Sequence, residues 1–256
     1  MRLEISGVSH SYDSLSVLED IDVAVESGEI VALIGPSGCG KSTLLSIMGG
    51  LLEPTNGSAF QEGDIPDGCL NPLTYVFQDF ALLPWRSVEG NIALVINDHK
   101  IDPTEAKARV EGVLAQTNLT EFRHAFPKQL SGGMRQRVGI ARAFAVNPAV
   151  LLMDEPLSAL DAQTRSILLE EFADLFRKTG ITVVYVTHNL NEAVRLANRV
   201  VVLSRRPGRV KEIVDIPIPI AERATRDAEL RPLQNRLWQL IRDEAVEADK
   251  ELADAQ

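Results

Sequence analysis

The sequence predicts an α/β fold built on a parallel sheet, and two observations predict it. First, short apolar runs with strand character recur at Ile30–Ile34, residues 150–153, Thr182–Val186 and residues 200–203, with a helical segment over 162–178 between the second and third. Buried apolar strands that alternate with helices make parallel sheets covered on both faces. Second, the run Ile30–Ile34 ends at Gly35 and passes through a glycine-rich loop directly into a helix over Lys41–Met48, which Gly49 and Gly50 would stop.

The remaining elements follow in order along the chain. Leu3 and Ile5, then Ile21, Val23 and Val25, alternate with polar residues and read as half-buried strands leading into the buried one. From about Trp85 to Asn147 the period becomes helical, with Ala106, Val110, Val113 and Leu114 on one apolar face and Val138, Ile140, Ala141 and Ala145 on another. After Ile220 the chain turns charged, and Leu230, Leu233, Leu237, Leu240 and Ile241 share one face of a terminal helix. The expected organisation is a core of residues 1–84 and 148–220, a helical part of residues 85–147, and a C-terminal helix with an acidic tail over residues 221–256.

Composition narrows the function. In 256 residues, 45% are hydrophobic and 24% charged, close to ordinary globular chains, so disorder and coiled-coil architectures are excluded. Twenty-six basic against 36 acidic residues give a net charge of −10, which argues against nucleic-acid binding through bulk positive charge. Half of that excess lies in residues 243–256, with six acids and one Lys. Cys39 and Cys69 are too few for a disulfide framework, and no basic stretch followed by an apolar run opens the chain. A reducing, cytoplasmic setting is expected.

Five loops carry candidate chemistry. Gly35, Pro36, Ser37, Gly38, Cys39, Gly40, Lys41 and Ser42 fit the pattern in which two glycines flank four residues and Lys-Ser follows, between a strand and a helix. There, backbone N–H groups and a helix N-terminus wrap nucleotide phosphates, Lys41 reaches the β- and γ-phosphates, and the Ser42 hydroxyl ligates Mg²⁺. Residues 150–155 place Asp154 and Glu155 at the carboxyl end of a buried strand, where ligands of open parallel sheets bind. Asp154 is a candidate Mg²⁺ ligand and Glu155 a candidate for accepting a proton from the attacking water. His188 follows Thr182–Val186, and Gln78 follows the apolar stretch 75–77, so both fall at strand ends on the same side. By contrast His10, His99 and His124 read as surface or packing residues, and Cys39 as a small loop residue. Finally, Ser131, Gly132 and Gly133 open a second helix with bare backbone N–H groups.

Together these motifs resemble those of the ATPase subunit of ABC transporters. Residues 35–42 resemble the Walker A motif, Gln78 the Q-loop, residues 130–136 the signature, residues 150–155 the Walker B motif, residues 158–161 the D-loop and His188 the switch histidine, in the family's order. The resemblance implies a P-loop ATPase core with an N-terminal antiparallel β subdomain and a helical signature subdomain. It implies Tyr12 as the aromatic that stacks on adenine, and Thr43 and Asp161 as further nucleotide-site residues. It adds Gln78 to Ser42 and Asp154 as metal-site residues, with ATP and Mg²⁺ as cofactors.

The resemblance also implies a second ATPase subunit whose Ser131, Gly132 and Gly133 complete the site in trans, membrane-embedded permease subunits, and indirectly a periplasmic or extracellular solute-binding protein. Residues 77–79 with 82–85, then residues 203–210, resemble importers of nitrate, sulfonates and taurine, which places the chain at the cytoplasmic face of the inner membrane. The apolar residues 80–85 are expected to meet the permease. A soluble ABC ATPase of DNA repair or translation is the rival reading, and a P-loop kinase another, but a kinase would have no use for the 130–136 motif.

Overall fold

The computed structural model describes residues 1–254. Two sheets form its frame. Strands β1 (Arg2–Tyr12), β2 (Leu15–Val25) and β4 (Asn56–Glu62) make an antiparallel three-stranded sheet in the order β2-β1-β4. Strands β3 (Ile30–Ile34), β5 (Leu73–Val76), β6 (Val150–Asp154), β7 (Thr182–Val186), β8 (Arg199–Leu203) and β9 (Val210–Asp215) make the second, in the order β5-β6-β7-β3-β8-β9. All neighbours in that sheet are parallel except the β8–β9 hairpin.

The central strands are apolar on both faces because both are covered. Along β3, Val31 and Leu33 face one side and pack with Leu3, Ile5, Ile21 and Val23 of the small sheet and with Leu44, Leu45 and Met48 of α1 (Lys41–Met48). Ile30, Ala32 and Ile34 face the other side, in a cluster shared with the helices α2 (Val88–Asn97), α3 (Pro103–Gln116), α4 (Gly132–Phe144), α5 (Ala162–Thr179), α6 (Leu190–Leu196) and α7 (Asp227–Asp254). Val110, Val113, Leu114, Val138, Ile140 and Ala141 are buried in it, as the helical periodicity anticipates.

Strands β4 and β9 and helix α6 are additions to the elements read from sequence. Strand β4 is mostly exposed and β9 is an edge strand, so neither carries a clear apolar alternation. Helix α7 seats Leu230 and Leu237 in the core and packs Leu233, Leu240 and Ile241 against it. The acidic tail lies largely outside the residues whose side chains are described, and residues 255–256 lie outside the described chain.

Residues 80–85, the apolar stretch expected to meet the permease, are only partly exposed. Phe80 and Leu82 pack against the core, and a Cβ at Gly139 would stand 2.5 Å from the Phe80 ring, so the missing side chain in α4 makes the seat for that ring. Arg142 also donates to the carbonyl oxygens of Phe80 and Ala81, holding the loop down. Trp85 remains 71% exposed, and Phe77 before Gln78 is 51% exposed.

Candidate functional site

The register of the large sheet brings the predicted loops to one edge. Leu33 of β3 and Asp154 of β6 both pair with Val186 of β7, and Val76 of β5 pairs with Met153 of β6. The loops after β3, β5, β6 and β7 therefore leave the same carboxyl edge side by side, the position at which open parallel sheets bind ligands.

The phosphate loop is shaped by backbone that only glycine tolerates. Gly40 has φ +102°, and a Cβ there would strike Leu18 Cδ2 at 2.6 Å. As the N-cap of α1, Gly40 provides no side-chain acceptor, which leaves the first N–H groups of the helix open to an anion. Lys41 is only 8% exposed and its ammonium donates to the carbonyl oxygens of Gly35 (3.0 Å) and Pro36 (2.9 Å). Its positive charge is thus held over the loop by neutral partners. Cys39 is fully buried beside it, and burial pushes its thiol up, so it is a packing residue and no nucleophile. Ser37 and Gly38 are exposed at the loop tip, and Thr43 is half-buried in the first turn of α1.

Ser42 joins the loop to β6: its hydroxyl donates to Asp154 Oδ1 at 3.1 Å, while Tyr75 OH donates to Asp154 Oδ2 at 3.5 Å. Burial raises the Asp154 carboxyl first of all; the Ser42 bond opposes that and the neighbouring Glu155 charge adds to it. The Tyr75 phenol is pushed up to about 12 by burial and by the Asp154 charge, so it stays a donor.

Glu155 sits in a left-handed backbone, φ 45°, sparsely populated for a residue with a side chain. Its N–H donates to the Val186 carbonyl (3.0 Å) and its carbonyl accepts from Ser158 Oγ (2.9 Å), which fixes the kink. The carboxylate then meets His188, with Nδ1 3.0 Å from Oε2. Gln78 Nε2 donates to Ser158 Oγ at 3.3 Å, so the loop after β5 reaches the same turn. Behind His188, the buried Glu192 accepts from Tyr185 OH (3.0 Å) and Thr187 Oγ1 (2.7 Å), anchoring the loop to α6.

The structure thus brings together Lys41, Ser42, Gln78, Asp154, Glu155 and His188. Five others stand apart. Ser131 caps α4, accepting from Met134 N–H at 3.3 Å, and a Cβ at Gly133 would lie 2.6 Å from Thr164 of α5, so this second helix start leans on α5. Gly132 is exposed beside Ser131. Asp161 accepts from the N–H groups of Gln163 and Thr164 as the N-cap of α5. Tyr12 is half-exposed at the end of β1, its ring edge-on to that of His10 with centroids 4.7 Å apart. His10 is 7% exposed, a packing residue.

Three contacts that support the site were not legible from the sequence: those of Tyr75, of Ser158 in the 158–161 motif, and of Gln136, which donates to the Pro156 carbonyl and ties α4 to the turn after Glu155. Gln136 lies within the 130–136 motif, but nothing in its position along the chain points to residue 156.

The chain is similar to known proteins over most of its length. A family model described as ABC transporter matches residues 18–158. The nitrate import ATP-binding protein of Synechococcus elongatus is 41% identical over 203 residues, covering 78% of this chain and 74% of that protein. The aliphatic sulfonates import ATP-binding protein of Bacillus cereus is 38% identical over 232 residues, covering 89% and 91%. Among solved structures, a dimeric post-hydrolysis state of an ATP-binding cassette bound to ADP and Pi superposes with TM-score 0.72 at 32% identity, covering 84% of this chain and 99% of that one.

Proposed function

We propose that this chain, which belongs to the ABC transporter family as an ATPase subunit coupled to transport, powers import of a small anionic solute of the nitrate, sulfonate or taurine type through a membrane permease. The observation that carries the reading is the meeting of four loops at one sheet edge, where Ser42 touches Asp154 and Glu155 touches His188. The solute class is supported by the nitrate and sulfonate import proteins among its relatives.

In this reading the N–H groups of residues 35–42 and the Lys41 ammonium hold the phosphates of ATP. Bound Mg²⁺ would neutralise charge building between the β- and γ-phosphates. The residues fit it: Ser42 and Asp154 offer two hard oxygen donors 3.1 Å apart, with Gln78 nearby through Ser158. Among the described residues no group of three or more His, Cys, Asp or Glu could hold a metal, so the remaining ligands fall to phosphate and water, the usual habit of Mg²⁺. Glu155 takes the proton of the attacking water. An ionised carboxylate only accepts hydrogen bonds, so His188 Nδ1 carries the proton between them and Nε2 is left for the γ-phosphate.

Ser131, Gly132 and Gly133, held away at the start of α4 against α5, serve a second copy in a dimer that closes over two nucleotides. Asp161 stiffens the start of α5 at that interface, and Tyr12 supplies the face for adenine. A cavity of about 280 Å³ lined by Tyr75, Phe77, Phe80, His99 and Arg142, with Trp85 on the same loop, suits docking of a permease element. No helix among the described residues is long and apolar enough to cross a membrane. In this reading the permease holds the chain peripherally at the cytoplasmic face of the inner membrane.

Growth tests this reading. A strain lacking the chain is expected to fail on nitrate, taurine or an alkanesulfonate as sole nitrogen or sulfur source, and to recover when the wild-type chain, but not Lys41→Ala, is restored. Unimpaired growth on all three would overturn the solute class.

A further inference from the structure

Two features have no part in the site so far: the segment 203–210 and the C-terminal helix. The structure joins them, and together they lead to the phosphate loop.

The turn between β8 and β9 lies against that loop backbone to backbone. A Cβ at Gly208 would stand 2.1 Å from the Cys39 carbonyl oxygen, and one at Gly35 would stand 2.9 Å from the Leu203 carbonyl oxygen. The segment therefore touches the loop near both ends. Gly208 donates its N–H to Val17 O (2.8 Å) and accepts from Glu19 N–H (3.0 Å), while Ser204 Oγ accepts from Arg209 N–H (3.0 Å) and closes the turn. On its other side the turn is held by α7. The Glu244 carboxylate accepts the Arg205 N–H at 3.0 Å and the Lys211 ammonium at 2.7 Å, and that ammonium also donates to the Leu240 carbonyl at 2.9 Å. Leu237, two turns earlier, is fully buried and anchors the helix.

We propose that Glu244 is a positioning residue for nucleotide binding. By pinning the 205–208 turn against Cys39, it holds the phosphate loop in the conformation whose N–H groups converge on an anion. A phosphate cradle works by preorganisation: amides already aimed at the ligand need no reordering when it arrives. The turn supplies the backing on the face away from the ligand, and a charge-assisted bond from α7 keeps the turn in place. The proposal rests on the reading of residues 35–42 as the phosphate site.

The test is equilibrium titration of the full-length chain with ATP and with ADP, alongside its nucleotide-free melting midpoint. Four variants are compared: Glu244→Ala, Glu244→Gln, Arg236→Ala and Lys41→Ala. Arg236 pairs with Glu212 and ties the same helix to β9 away from the turn. Glu244→Ala is expected to weaken both nucleotides by about three- to tenfold, the scale of one ordinary net hydrogen bond, because the lost bond acts on the loop only through the turn. Glu244→Gln, which keeps an acceptor for the Arg205 N–H, should lose less, and Arg236→Ala should leave affinity unchanged.

Unchanged affinity in Glu244→Ala beside lost affinity in Lys41→Ala would overturn the proposal and leave the phosphate site standing. Equal weakening by Arg236→Ala would make the effect general undocking of α7 and overturn it too. Unaltered binding in Lys41→Ala would remove the phosphate reading and the proposal with it.

Discussion

His188 Nδ1 lies 3.0 Å from Glu155 Oε2, so the two groups drawn from neighbouring strand ends form one unit. Glu155→Gln is expected to keep ATP binding and cut turnover by about 10²–10⁴-fold, the usual scale for a positioned general base. Phosphate release in steady state and nucleotide retention on the closed dimer measure the two halves; near-normal turnover would remove Glu155 from the base role.

Because the pair acts together, His188→Ala should also lose about 10²-fold or more, and the double variant little beyond the worse single one. Fully additive losses in single-turnover rates would show that the 3.0 Å contact has no catalytic consequence.

Ser131 and Lys41 belong to different helix starts of one chain, and Gly133 ties the first of these to α5. Ser131→Arg and Lys41→Ala should each be inactive, yet a mixture should recover hydrolysis, since a mixed dimer has one site with both parts intact. Recovery that fails at every mixing ratio, with dimers present, would sink the shared site.

Asp154 is a half-buried carboxylate beside Glu155, raised by burial above its ordinary range. Over that window the folded state binds more protons than the unfolded one, so its contribution to stability falls as pH rises from the ordinary carboxylate value through the raised one. At neutral pH the charge is a net cost, partly screened by solvent. Asp154→Asn should raise the melting midpoint by about 1–2 °C without Mg²⁺ while abolishing hydrolysis. A lower midpoint in calorimetry would contradict this account.

Arg223 is 2% exposed and donates to the carbonyl oxygens of Val194, Ala197, Ile216 and Ile218, closing the C-terminal end of α6. Burial pushes its guanidinium down to about 10. Arg223→Met strands those carbonyls and should cost about 2–4 kcal/mol, read as a lower urea midpoint at unchanged slope. An unshifted midpoint would mean the carbonyls find other partners.

What the sequence determined alone was whatever depends on local order. An apolar run ended by Gly35, with Lys41 and Ser42 opening the next helix, specifies a strand, an anion loop and a helix because backbone conformation and helix dipole act over a few residues. The same locality made Asp154, Glu155, Gln78 and His188 legible as strand-end groups. Tertiary structure decided which of them touch. The parallel register brings Ser42 to Asp154 across 112 positions and Gln78 to Ser158 across 80. It also buried Phe80 against Gly139, buried Arg223 within a segment that reads as solvated, and set Gly208 against Cys39. Such contacts come from packing elements far apart in the chain, where steric fit and unpaired carbonyls select the partner, and no spacing along the sequence encodes them.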